Sequence, residues 1–155
     1  MQHVEPRATA NVDEAMLKAI GRVHHLWNEA LEQTNVQAAA ALYASDTVPE
    51  SPPVRHILKS EEGVVRGREK LREFLELVFA RTPTSRHVYR TGFFTDGRTV
   101  MWEYPHTTPE GEQMDFVEVM EIADGLIARR RVYWGWFGVK IMEEDRYYRV
   151  TSLRG

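Results

Sequence analysis

The chain has 155 residues, 43% of them hydrophobic, which is enough for one domain with a substantial core. Lys and Arg number 20 against 23 Asp and Glu, a formal net charge of −3, so there is no electrostatic footprint for a polyanion such as nucleic acid. Cysteine is absent, which excludes disulfide frameworks and thiolate chemistry.

The first residues, MQHVEPRATA, lack the basic segment and apolar run of a signal peptide. No window approaches the roughly 20 apolar residues that cross a bilayer. These features predict a soluble, cytoplasmic protein without membrane association. The six histidines form no H-x-x-x-H or H-E-x-x-H pattern, and adjacent His24 and His25 would sit about 100° apart on a helix. No metal and no other cofactor is expected.

Residues 1–11 read as a flexible arm, 12–142 as a single domain and 143–155 as a C-terminal tail. Asn11 with Glu14 resembles a capping box, since Asn can accept an N–H and Glu can reach back. Met16, Ile20, Val23, Trp27 and Leu31 then recur at helical spacing, predicting a first helix that ends near Gln33. Asn35 is placed to cap a short second helix over VQAAAALYA. The prolines of SDTVPESPPV break it, and VRHILKSEEGVVRG reads as a short strand or loop. A third helix follows over REKLREFLELVFAR, with Leu71, Phe74, Leu75 and Val78 on one face.

From Ser85 the pattern changes to strands. SRHVYRTGFFT, RTVMWEYPHT, EQMDFVEVMEI and LIARRRVYWGWFGVKIM are rich in β-branched and aromatic residues and are separated by DG, TPEG and ADG. They predict an antiparallel meander of four long strands. A sheet with one buried face needs a cover, and the three helices are the available cover. The fold class is therefore α+β, with three N-terminal helices on a curved antiparallel sheet.

Three stretches resemble the nuclear-transport-factor-2-like superfamily, in its SnoaL-type polyketide cyclase and ketosteroid isomerase branch. They are LYASDTVPESP after the second helix, GVVRGREKLREFL opening the third, and VMEIADGLIARRRVYW near the end. The resemblance covers roughly residues 12–138. It implies a cone-shaped α+β barrel with an apolar pocket, and a homodimer formed through the outer face of the sheet. It says less about activity, because one fold hosts many functions.

The charged residues of the last two strands are placed by alternation. With ADG as a type I turn and Gly125 as a G1 bulge, Ile122 faces Leu126 and Glu118 faces Arg130. A two-residue turn would instead pair Glu118 with Arg131. The resemblance puts the Trp134 face inside and so selects the first register. Phe116, Glu118, Met120, Arg130, Val132 and Trp134 then line the interior, while Arg129 and Arg131 lie outside. The same alternation brings Val100, Trp102, Tyr104 and His106 inward, with His87 or Val88 starting the strand before. Trp27 and His24 come from the first helix and Ser51 from the loop after the second.

The family's known site positions are only partly kept. The proton-shuttling aspartate of an E-D-P motif is Ser51 in Glu50-Ser51-Pro52. Trp27 stands where the isomerases carry a tyrosine, and Glu118 where they carry a second acid. Val132 stands where the related epoxide hydrolases carry an aspartate.

The expected function is a small-molecule enzyme doing acid–base chemistry without a cofactor: isomerase, cyclase, dehydratase or epoxide-hydrolase type, on a polyketide- or terpenoid-like substrate. Glu118, His106, Tyr104 and Arg130 are the candidate catalytic residues. Trp27, His24, Ser51, His87, Trp102, Phe116, Met120, Val132 and Trp134 are the candidate binding residues for an apolar or aromatic-ring metabolite. Glu118 with Arg130 would orient a water or polarise a carbonyl, His106 would move the proton, and Tyr104 would donate a hydrogen bond. The alternatives are a non-catalytic binding module and a dimerisation domain of the same fold.

Overall fold

The computed structural model describes residues 7–8, 12–81, 87–88, 92–107 and 111–144; at Arg7, Ala8, His87, Val88 and His106 it describes the backbone only. The elements in chain order are β1 (Arg7–Ala8), α1 (Glu14–Glu32), α2 (Val36–Ala41), β2 (Tyr43–Glu50), α3 (Pro52–Leu58), α4 (Arg68–Arg81), β3 (His87–Val88), β4 (Phe94–Thr95), β5 (Thr99–Glu103), β6 (His106–Thr107), β7 (Gln113–Met114), β8 (Phe116–Ala123), β9 (Leu126–Trp134) and α5 (Trp136–Glu143). One sheet runs β1-β4-β5-β8-β9-β2, and a smaller one runs β3-β6-β7.

Helix α1 carries its apolar residues on one stripe, and Ile20, Val23, Trp27 and Ala30 are buried. Its N-cap is Asp13, whose carboxylate accepts from the Ala15 N–H; the expected cap, Asn11, lies outside the described residues. Asn35 caps α2 as expected, accepting from the Ala38 N–H at 2.9 Å. Helix α4 spans the expected segment and buries Leu71, Phe74 and Leu75. Together α1, α2 and α4 cover the concave face of the main sheet. No described helix is long and apolar enough to cross a membrane.

The expected four continuous strands are split, with β3, β6 and β7 forming a sheet apart from β4, β5, β8 and β9, and three further points differ. The segment expected to be a break is strand β2, which pairs in parallel with β9. It is an edge strand, so Pro49 is tolerated within it. Pro52 and Pro53 open α3 at the first helical positions, where no intrahelical N–H is needed, so VRHIL is helical rather than strand or loop.

The last strand stops at Trp134 instead of running to Met142. Gly135 caps α5 and its N–H bonds the Asp115 carbonyl at 2.8 Å. The buried residues of α5 are Gly138, Ile141 and Met142, a helical spacing. A Cβ on Gly138 would come within 3.2 Å of Trp134 Cε3, so glycine allows α5 to lie close against the end of β9. Ile141 and Met142 form a second apolar cluster with Met114, Phe116 and Val132.

The third correction concerns register. Asp124 (φ 52°) and Gly125 (φ 73°) are both left-handed, and Ala123 pairs with Leu126. This is a two-residue type I′ turn, not a type I turn with a G1 bulge. The ladder then shifts between Glu121 and Ile122, leaving Ala128 as an extra residue. Beyond it Met120 pairs with Arg130 and Glu118 with Val132. The inward faces are those expected, but Glu118 and Arg130 are diagonal neighbours rather than opposite ones. The buried hydroxyl of Thr47 on β2 donates to the Ala128 carbonyl at 3.1 Å and ties the bulge to the neighbouring strand.

Candidate functional site

Glu118 lies in the middle of β8 and is completely buried. A buried carboxylate without a partner is costly. Arg130 supplies the partner: its Nε donates to Glu118 Oε1. The guanidinium also lies over the Trp27 ring, 4.7 Å from the centroid, a cation–π arrangement. Burial works against the charge on Arg130. The Glu118 carboxylate more than offsets it, with smaller contributions from Tyr43 and Tyr104, and the guanidinium is held more firmly protonated than usual.

Aromatic rings surround the pair. Trp27 on α1 meets Tyr43, the first residue of β2, edge to face at 5.6 Å. Trp102 on β5 is the ladder partner of Glu118. His24 sits edge-on to Trp102 at 4.8 Å and lies 4.9 Å from Phe93. The buried Asn28 amide donates to the His24 carbonyl at 3.0 Å and approaches His24 Nε2 at 3.1 Å, which fixes that ring. Toward α5, Tyr104 stacks on Phe116 at 5.2 Å, and Phe116 meets Trp134 edge to face at 4.6 Å.

Among the described residues, four buried side-chain polar atoms have no hydrogen-bond partner: Trp27 Nε1, Trp102 Nε1, the Tyr43 hydroxyl and Glu118 Oε2. Each such atom costs about 1–3 kcal/mol relative to a partnered one. Three are donors, counting the neutral phenol, and one is a carboxylate acceptor. Burial holds the Tyr43 phenol far above its usual pKa, so it stays protonated.

The structure brings Glu118, Arg130, Trp27, Trp102 and His24 together around one centre. Met120, the ladder partner of Arg130, is buried beside it. Phe116, Val132, Trp134 and Tyr104 form the adjoining layer. Ser51 is half-buried at the N-cap of α3, its N–H bonded to the Gly63 carbonyl, and no described contact joins it to the ion pair. The backbones of His87 and His106 belong to the smaller sheet, where Val88 pairs with His106; their side chains lie outside the described residues. Among the described residues no group of three or more His, Asp or Glu could hold a metal ion.

Tyr43, Asn28 and Thr47 were not singled out from the sequence. Asn28 could have been: a polar residue next to Trp27, four positions after His24, belongs to the buried stripe of an amphipathic helix.

The model of the SnoaL-like domain matches residues 24–130. The chain belongs to the SnoaL-like domain family. Its matched part runs from His24 on α1 to Arg130 on β9, and so includes Trp27, Tyr43, Trp102 and both members of the ion pair. Solved structures agree on the fold. An NTF2-like protein from Anabaena variabilis superposes with a TM-score of 0.66 at 16% identity, covering 82% of this chain and 96% of that one. A SnoaL-like protein of unknown function from Burkholderia thailandensis gives 0.65 at 18% identity, covering 80% and 98%. A steroid delta-isomerase from Pseudomonas aeruginosa gives 0.64 at 15% identity, covering 94% and 98%. No curated protein matches the chain. Identities this low carry the cone fold and not an activity.

Proposed function

We propose that this SnoaL-like protein is a small-molecule enzyme of isomerase type, moving a proton on carbon next to a carbonyl without a cofactor. The observation that carries the reading is Glu118 Oε2, a buried carboxylate oxygen with no partner, set among apolar rings. Its other oxygen is held by Arg130. The free oxygen is the acceptor for a substrate proton. The Tyr43 hydroxyl and the Trp27 indole N–H, whose rings meet, are unpaired donors for the oxygen on which charge would develop. In this reading His106 relays the proton and Tyr104 supports the ring plane near Phe116. Likeness to a steroid delta-isomerase fold is compatible with this chemistry.

The test is deuterium wash-in. 2-Tetralone, which has acidic protons beside its carbonyl, is incubated with the protein in D2O and followed by proton NMR. Exchange above background that disappears in Glu118→Gln is the expected result. If Glu118→Gln and His106→Ala both exchange as fast as the parent protein, the mechanism is wrong.

A second reading, a non-catalytic holder of an apolar metabolite, is favoured by the complete burial of Trp27 and Trp102. It predicts binding with no exchange. In either case the functional unit is a homodimer joined through the outer face of the main sheet. That face exposes Phe94, Met101 and Tyr133 beside the Glu121–Arg131 ion pair, an apolar patch with both charges needed for self-pairing. Light scattering on the parent and on Met101→Glu checks it, with a monomer expected for the variant.

A further inference from the structure

Among the described residues the buried polar or charged side chains are Asn28, Thr47, Thr95, Glu118 and Arg130. Glu118 and Arg130 answer each other, and Thr47 and Thr95 donate to backbone carbonyls. Asn28 faces an imidazole, and that contact decides where a proton sits.

Residues four apart on a helix are neighbours, so the Asn28 amide lies against the turn that carries His24. Its Nδ2 is 3.0 Å from the His24 carbonyl oxygen and 3.1 Å from His24 Nε2. A carbonyl oxygen only accepts, so the amide must turn its NH2 group, and not its oxygen, to that side. An NH2 group has two hydrogens to give and nothing to accept with. One hydrogen goes to the carbonyl and the other to Nε2. Nε2 must then offer its lone pair, and the proton of the neutral ring goes to Nδ1. A free histidine side chain prefers the opposite tautomer, with the proton on Nε2.

The ring fixed in this way stands at the interior. It lies edge-on to Trp102 at 4.8 Å and tilted against Phe93 at 4.9 Å, and neither ring carries a charge that would favour an imidazolium. Trp102 is in turn the ladder partner of Glu118.

We infer that Asn28 is a positioning residue: it holds His24 as the neutral Nδ1–H tautomer, so that His24 enters the interior as a hydrogen-bond donor and not as a second base. With Nε2 taken by Asn28, the nitrogen left to meet any other group already carries its proton. In the isomerase reading, on which this consequence rests, proton abstraction stays with Glu118, and a neutral donor stands on its Trp102 side.

Nitrogen NMR of the imidazole rings in isotope-labelled protein tests this at about pH 7.5, above the ordinary histidine pKa of about 6.5. His24→Gln marks which ring signals belong to His24, and the exposed His25 serves as the unconstrained reference. A ring nitrogen that carries a proton and one that offers a lone pair resonate far apart. The expected spectrum of His24 shows Nδ1 protonated and Nε2 not. In Asn28→Asp the carboxylate can only accept, so Nε2 should gain a proton. Asn28→Leu has no donor and should move His24 toward the free preference, again with the proton on Nε2. Circular dichroism shows which variants are folded; where neither is, the parent spectrum decides. A protonated Nε2 in the parent overturns the inference, and so does a folded Asn28→Asp or Asn28→Leu in which Nε2 stays bare. The expected spectra without any deuterium exchange of 2-tetralone would sink the isomerase reading and leave the tautomer standing.

Discussion

Arg130 reaches Glu118 across a diagonal: the ladder sets Val132 opposite Glu118, and Met120 opposite Arg130. The side chain must therefore run along the sheet, and this lays its guanidinium under Trp27. One geometry joins the ion pair to helix α1.

Removing one partner leaves a buried charge alone. Glu118→Leu and Arg130→Met are each expected to destabilise the fold by about 3–5 kcal/mol, and the double variant by much less than their sum. Urea unfolding of the four proteins measures the coupling. Additive losses would mean that the two groups do not answer each other.

Thr47→Val should cost about 1–3 kcal/mol, because the Ala128 carbonyl loses a donor in a buried setting. Thr47→Ser keeps the hydroxyl and should recover most of the loss. Thermal melts compare the three. A silent Thr47→Val would show that the bulge is fixed by other contacts.

Tyr43→Phe removes a buried hydroxyl that has no partner. Stability is expected to stay level or rise by about 1 kcal/mol, while 2-tetralone binding or exchange weakens. Burial raises the folded pKa of this phenol above its ordinary 10.0. The fold therefore keeps its full stability below pH 10.0 and loses stability as pH rises from there toward the folded value, where only the unfolded chain can ionise freely. The Phe variant should lack this alkaline loss in urea midpoints measured across pH.

The Asp96 carboxylate accepts the N–H groups of Thr99 at 2.7 Å and Arg98 at 2.9 Å, which hold its pKa below the ordinary 3.8. Its contribution is present above 3.8 and is lost as pH falls through the lower folded value. Asp96→Asn keeps the acceptor oxygen and should flatten this acidic limb without unfolding the hairpin. Urea midpoints between about pH 2 and pH 6 check it.

The sequence was most legible where one pattern had one meaning. The stripes of α1 and α4 could only be amphipathic helices, and the alternation through Phe116, Glu118 and Met120 identified the inward face of β8. Alternation left Arg130 and Arg131 open; the family resemblance placed Arg130 inside, and it is buried. Register was not legible, because the bulge at Ala128 is tied to Thr47 on β2, a strand hidden behind its prolines. Helix α5 was hidden for another reason. In WFGVKIME nearly every position is apolar, so a period of two and a period of 3.6 fit equally well. Tyr43 depended on where α2 ends: two residues of further helix would have turned its ring elsewhere.

Of three successive arginines, a strand can turn either the middle one or the outer two to a given side. The hairpin loop spans two residues, and with an unbroken ladder Arg129 and Arg131 would have faced the centre, two positive charges against one negative. The extra position at Ala128 changes the count from even to odd. One guanidinium enters and two leave, and Arg131 finds Glu121 on the outside instead. A single uncounted alanine thus decides whether the middle of this protein is electrically balanced.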